Sequence, residues 1–293
     1  MSEHHHHNYD RAFVIGITLN VIFVLIEAFY GWQADSLALL SDAGHNLSDV
    51  LGLLVAWGGF YLSRKKPSQK HTYGLGRATI MAALFNALVL LIAIGGIVWE
   101  SVNRLSHPVA IQGGIVMLVA AIGVLINGIT AWLFMSGNKN DLNLRGAFLH
   151  MAADALVSLG VVIAGAVFIQ TGWTWLDPAI SLLIAFVILL GTWGLLRQSL
   201  HLSLDGVPAS IQLAKVKSYL AGQPNVCEVH DLHVWAMSTS EIALTAHLVV
   251  SDGQPADDFL YRVADELHDL FAIEHATIQL ETGNQTCALA RHT

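Results

Sequence analysis

Residues 38–62 read ALLSDAGHNLSDVLGLLVAWGGFYL. The stretch is long and apolar enough to cross a bilayer, which takes about 20 mostly apolar residues. Yet it holds Asp42, His45 and Asp49. Ionisable groups inside a span are costly and point to function by default. Five further apolar runs have the same character: 13–32, 78–100, 110–135, 147–170 and 178–200. Turn residues or charges separate them, at Gln33 to Ser36, Arg64 to Gly76, Ser106 to Pro108, Gly137 to Asn143 and Gly172 to Pro178. The expected fold is therefore an α-helical polytopic membrane protein with six transmembrane helices.

Composition agrees. The 293-residue chain is 54% hydrophobic and 12% charged, against about a quarter charged in an average soluble domain. Its net charge of −8, with no basic stripe to follow phosphates, excludes a nucleic-acid binder. Residues 1–205 carry ten Lys and Arg against eleven Asp and Glu, whereas residues 206–293 carry four against eleven. The tail is thus acidic, and it contains no run that could span a bilayer. The expected domains are a His-containing N-terminus (1–12), a membrane domain (13–205) and a soluble C-terminal domain (206–293).

Six spans put both termini on one side. Arg11, Arg64, Lys65, Lys66, Lys70, Arg77, Lys139, Arg145 and Arg197 fall on that side, and only Arg104 on the other. The positive-inside rule then makes both termini cytoplasmic. No cleavable signal peptide is apparent at the polar N-terminus, and the absence of organelle signals points to the inner (plasma) membrane. Cys227 and Cys287 are far apart and form no CxxC, so no structural disulfide is expected.

The tail reads as helix 208–221, strands 226–236 and 241–250, helix 256–271 and strand 276–282. This αββαβ order suits a small α+β sandwich of ferredoxin-like or metallochaperone-like kind, with two helices on one face of a three-stranded sheet.

The ionisable residues of the spans repeat a pattern. His45-Asn-Leu-Ser-Asp49 and His150-Met-Ala-Ala-Asp154 share H-x-x-x-D spacing in two apolar helices. Residues four apart lie on one helix face, so each helix offers one imidazole and one carboxylate. One such pair alone could equally be a hydrogen bond between helices. Two facing pairs supply two nitrogens and two oxygens, which suits tetrahedral zinc better than magnesium or calcium, which prefer oxygen alone. Asp42, three residues before His45, reads as a cap or an ion-entry residue. Glu27, Asn20, Asn86 and Asn127 read as interhelical hydrogen-bonding groups.

Ser41-Asp-Ala-Gly-His45-Asn-Leu-Ser-Asp49, Leu149-His150-Met-Ala-Ala-Asp154 and Val229-His-Asp-Leu-His-Val-Trp235 together resemble the zinc-transporting branch of the cation diffusion facilitator family. The resemblance covers nearly the whole chain. It implies a homodimeric zinc/proton antiporter, with His45, Asp49, His150 and Asp154 as the transport site and Zn2+ as both cargo and regulatory ion. His45 in place of the Asp found in some members implies a bias towards zinc over cadmium. His230, His247 and Glu281 match the family's tail metal site. Tyr261 stands where a further His can occur, and His233, His275, Cys287 and His292 are weaker candidates. In the loop between helices two and three only His71 remains of the family's ligands, beside Lys70, which implies at most a weak site. Arg77 and Asp205 match a basic and an acidic residue that interlock membrane domain and tail. The run His4 to His7 could collect cytoplasmic zinc.

Charge arithmetic explains coupling to protons. Zinc neutralises two aspartates, and protons can replace it when it leaves. Alternating access would then export zinc, with H+, the bilayer and a second copy of the chain as partners. The alternative reading is a zinc-sensing membrane protein that does not transport. A metallohydrolase would need an open coordination position and a general base; neither is evident, and HExxH is absent, so no enzyme is expected.

Overall fold

The computed structural model describes residues 18, 20–63, 67–135, 142–251 and 258–282, with the side chains of 49, 52–60, 62–63, 133–135 and 142–147 outside that description. The chain divides into two compact units, 1–54 with 86–194 and 55–85 with 195–293.

Among the described residues, six helices precede the tail: α1 (20–33), α2 (Leu37–Ser63), α3 (Ala78–Ser106), α4 (Gly113–Met135), α5 (Leu142–Thr171) and α6 (Leu176–Ser203). Among the described residues, stretches within α3, α4, α5 and α6 are long and apolar enough to cross a membrane. Large apolar side chains on these helices face outward, among them Ile92, Trp99, Leu118, Trp132, Leu156 and Leu190. Such a surface calls for lipid or a partner rather than water.

In the first unit, Phe23, Leu39, Ile94, Val119, Val161 and Ile188 form one buried cluster. Glycine lets α4 approach its neighbours. A Cβ at Gly123 would lie 2.6 Å from Phe23 Cζ and 3.0 Å from Ser158 Oγ, and one at Gly113 would lie 2.7 Å from Phe168 Cδ1. Small residues at such crossings let helices pack closely in lipid.

The start of α2 is set by Ser36 and by Asp177, a residue distant in sequence. Ser36 Oγ accepts from Leu39 N at 3.3 Å, the N-cap bond of a helix. Asp177, in the first turn of α6, accepts from Ser36 Oγ at 2.6 Å and Leu37 N at 2.8 Å. A carboxylate here also suits the positive end of the helix dipole. Arg104 donates to the Asp35 carbonyl and, at 2.9 Å, to Glu100.

The tail contains α7 (Leu213–Ala221), β1 (Val226–Ala236), β2 (Ile242–Val250), α8 (Phe259–Phe271) and β3 (His275–Thr282). The αββαβ order matches the expectation. The strands run β1-β2-β3, with β1 antiparallel and β3 parallel to β2. Parallel neighbours require a crossover, and α8 provides it. Phe259, Val263 and Leu267, four apart, are the buried stripe of α8. They join Val216 and Leu220 of α7 and Val234, Leu244 and Leu248 of the sheet in one core. Helix α8 ends in a Schellman turn: Ala272 is left-handed, and Ile273 N bonds Leu267 O at 3.2 Å.

Candidate metal centres

Helix α2 presents His45, and α5 presents His150 and Asp154 one turn apart. Asp154 is buried and lies between the two imidazoles. Its Oδ1 is 3.2 Å from His45 Nε2 and its Oδ2 is 3.7 Å from His150 Nε2. The two rings stand 6.1 Å apart. Ligand atoms at zinc distances in a tetrahedral site are about 3.3 Å from one another, so Asp154 has nearly that spacing to each imidazole, though among the described residues the three ligand atoms do not all lie within 4.8 Å of one another. Asp49 follows His45 by one helical turn, but its side chain lies outside the described residues.

Beside this site is a second buried polar group. Asn46 Nδ2 donates to Glu27 Oε2 at 3.1 Å, and Ser158 Oγ donates to Asp42 Oδ2 at 2.9 Å. Glu27 therefore bonds between helices, as expected. Asp42 is neither cap nor entrance: it is fully buried, more than a turn inside α2, whose cap is Ser36. Asn20 donates to Met151 Sδ at 3.9 Å. Asn127 has no hydrogen-bond partner among the described residues.

Sheet geometry builds the tail site. His230 and His247 are cross-strand partners on β1 and β2. Glu281 pairs with Val249, two residues beyond His247, and side chains two apart share a sheet face. All three therefore converge. His247 Nδ1 is 2.8 Å from Glu281 Oε1, and His230 Nε2 is 3.4 Å from Glu281 Oε2. Their candidate ligand atoms all lie within 4.8 Å. Neither ring nitrogen of the buried His230 has a hydrogen-bond partner among the described residues. A buried polar group normally has one, and a metal would satisfy it, so these residues fit zinc.

Sequence reasoning missed Asp231. A β-bulge between His230 and His233 breaks the strand's alternation, and Asp231 takes a left-handed conformation there. Its carboxylate lies 3.0 Å from His233 Nε2 and 3.6 Å from His247 Nε2. The H-D-L-H run held a signal, since two His three apart cannot share a face of a regular strand. His233 itself is exposed, and His275 packs edge-on against Tyr73 with ring centroids 5.4 Å apart. Tyr261 is exposed.

His71 lies in an exposed turn, its amide bonding Ser68 O at 3.1 Å. No group of three potential ligands among the described residues includes it. Arg77 and Asp205, within the second unit, form a direct ion pair between exposed side chains. Asp205 is left-handed where α6 ends. Gly206 follows, where a Cβ would lie 2.3 Å from His201 Cε1. His4 to His7, Cys287 and His292 lie outside the described residues.

Comparison with known proteins covers both units. The cation efflux transmembrane domain matches residues 13–202, and the cytoplasmic domain of cation efflux proteins matches residues 208–283. The zinc transporter ZitB of Escherichia coli is 38% identical over 271 residues, spanning 92% of this chain and 86% of that protein. The metal cation efflux system protein CzcD of Cupriavidus metallidurans is 38% identical over 274 residues, 93% of this chain and 86% of that one. The cadmium, cobalt and zinc/H(+)-K(+) antiporter of Bacillus subtilis is 35% identical over 286 residues, 95% and 92% of the two chains.

Proposed function

The chain belongs to the cation efflux, or cation diffusion facilitator, family of transporters rather than enzymes, and from that premise we propose that it exports Zn2+ from the cytoplasm in exchange for protons. The observation that carries the reading is Asp154, buried between His45 of α2 and His150 of α5 at 3.2 and 3.7 Å. With Asp49 it completes a two-nitrogen, two-oxygen site inside helices α2 and α5. The names of the ZitB and Bacillus subtilis relatives, a zinc transporter and an antiporter of zinc and H+, support cargo and counter-ion. The latter name also includes cadmium and cobalt, so the preference for zinc rests on the imidazole of His45.

Helices α1 to α6 all span the inner membrane in this reading, with both termini cytoplasmic under the positive-inside rule. The division at 12/13 and 205/206 follows. The tail domain holds two copies together, and His230, His247 and Glu281 bind a regulatory zinc. His71 stays outside either site. The Arg77–Asp205 pair acts as a latch between the α2–α3 turn and the end of α6.

Charge drives the cycle. Zinc on Asp49 and Asp154 cancels two negative charges, and an empty site keeps them at a cost in low dielectric. Metal needs neutral imidazole and ionised carboxylate, so its arrival expels protons and protonation expels it. Alternating access presents the site first to the cytoplasm and then to the outer face.

The test is flux. Purified protein in liposomes, with zinc and pH dyes inside, is given a zinc gradient. Zinc uptake against opposite proton flow, lost in Asp49→Ala and Asp154→Ala, is expected. Zinc bound but never accumulated would favour a sensor that works through the tail cluster.

A further inference from the structure

The metal site does not use Glu27 of α1 or Asp42 of α2. Both are fully buried, and their carboxyls lie close enough to act on each other directly. Each has one outside donor, Asn46 for Glu27 and Ser158 for Asp42. The remaining oxygens, Glu27 Oε1 and Asp42 Oδ1, find no donor among the described residues. An ionised carboxylate only accepts, so two of them bond each other only through a shared proton. No Lys or Arg occurs in α1, α2 or α4 to neutralise the pair.

The groups facing it bear the same message. Asp42 feels His45 of its own helix and Asp154 of α5, and α4 has no titratable residue. With neutral imidazoles, Glu27, Asp42, Asp49 and Asp154 would place four negative charges in this part of the membrane unit. One zinc ion cancels only half of them. Leaving the rest unpaired is far costlier than adding protons.

We propose that Glu27 and Asp42 form a proton-binding site separate from the metal ligands, and that this pair supplies one of the protons exchanged for zinc. The inference rests on the antiport reading for the exchange but not for the proton itself. As zinc leaves, an O–H bond of the pair breaks and the proton goes to the vacated metal site. The electron pair stays on the Glu27–Asp42 oxygens, and a proton from the outer aqueous side, to which the site is then open, restores the O–H bond. Ser158, one turn from Asp154 and bonded to Asp42, offers a hydroxyl between the two sites.

Two measurements on the full chain in lipid test this. The first is infrared spectroscopy of the zinc-free protein at neutral pH, reading the C=O stretch of a protonated carboxylic acid. That band is expected in the unmodified protein and lost in Glu27→Gln, with Asp42→Asn as the second variant. The second is proteoliposome flux, in which Glu27→Gln should still bind zinc but move fewer protons per zinc, by roughly one. An unmodified protein that has the band but moves no zinc would sink the antiport reading and keep the proton site. Absence of the band, or a band unchanged in both variants, would overturn the site whatever the flux. So would a proton-to-zinc ratio unchanged in a Glu27→Gln protein that transports. If potassium is required and the band is missing, the pair is a monovalent-cation site, and the proposal also fails.

Discussion

The two candidate metal centres use the same chemistry on different frames. In the membrane unit, imidazole and carboxylate come from two helices, and the four residues lie on two turns. Asp154 is buried there, but the His150 side chain is 43% exposed. In the tail, a hydrogen-bonded sheet holds the ligands, and the side chains of His230, His247 and Glu281 are only 7%, 9% and 14% exposed. Cross-strand pairing fixes the distance between His230 and His247. Among the described residues, side chains alone join α2 to α5, as Ser158 does to Asp42 at 2.9 Å, because helices satisfy their own backbone bonds and can shift against each other. A closed four-ligand zinc site is normally structural. A transport site must loosen, so it belongs on elements that can move, and a regulatory site belongs on a sheet.

The largest effects should separate the two centres. Asp154→Ala removes the carboxylate both imidazoles face. Transport should fall by more than the ~10–100-fold that losing a supporting partner costs, while zinc binding by the tail keeps its stoichiometry. Liposome flux and equilibrium dialysis on the same preparation check this. Loss of both would mean that the centres are one coupled site. Next comes His247→Ala. In the unmodified protein, free zinc at about 100 times its dissociation constant should stabilise the tail by ~2.7 kcal/mol. The variant should lose that zinc-dependent rise in melting temperature and still carry zinc in liposomes, at an altered rate because the regulatory zinc is gone. An unchanged rise would remove His247 from the site.

How much of this was legible depends on the frame as well. The H-x-x-x-D repeat is visible because helical spacing is local: four residues make one turn wherever the helix begins. Strand β1 was bounded correctly at 226–236 because its composition is local too. Asp231 was not legible, because a bulge cancels the alternation from which faces are read. Asp42 was misplaced because its depth depends on where α2 starts. Ser36 and the distant Asp177 decide that together. The first tail helix begins at Leu213 rather than 208, since a turn after Pro208 intervenes. The Glu27–Asp42 contact joins two helices, and no spacing within either one encodes it.

A smaller effect should come from close packing in the membrane unit. Gly123→Ala puts a methyl 2.6 Å from Phe23 Cζ and 3.0 Å from the Ser158 hydroxyl that holds Asp42. Overpacking costs about 1–3 kcal/mol. Its melting temperature and flux should drop, with the tail's zinc response intact. A Gly123→Ala protein with unaltered melting would mean that α4 has room to shift.

The smallest effect lies wholly in the tail and asks whether its helices answer to their own chemistry. Tyr219 of α7 donates to Glu266 of α8 at 2.6 Å. Burial raises the Tyr219 hydroxyl above its usual range, and Glu266 adds to this by hydrogen bond and charge. Folding therefore favours the protonated phenol. The contribution is complete below the ordinary tyrosine value of about 10 and is lost as pH rises from there towards the folded value. Tail stability, followed by denaturant unfolding, should fall with alkaline pH from about 10. Tyr219→Phe cannot ionise and should flatten that slope while leaving zinc binding alone. An equal slope in the variant would assign the alkaline loss to other groups and leave the Tyr219–Glu266 bond with no share in joining α7 to α8.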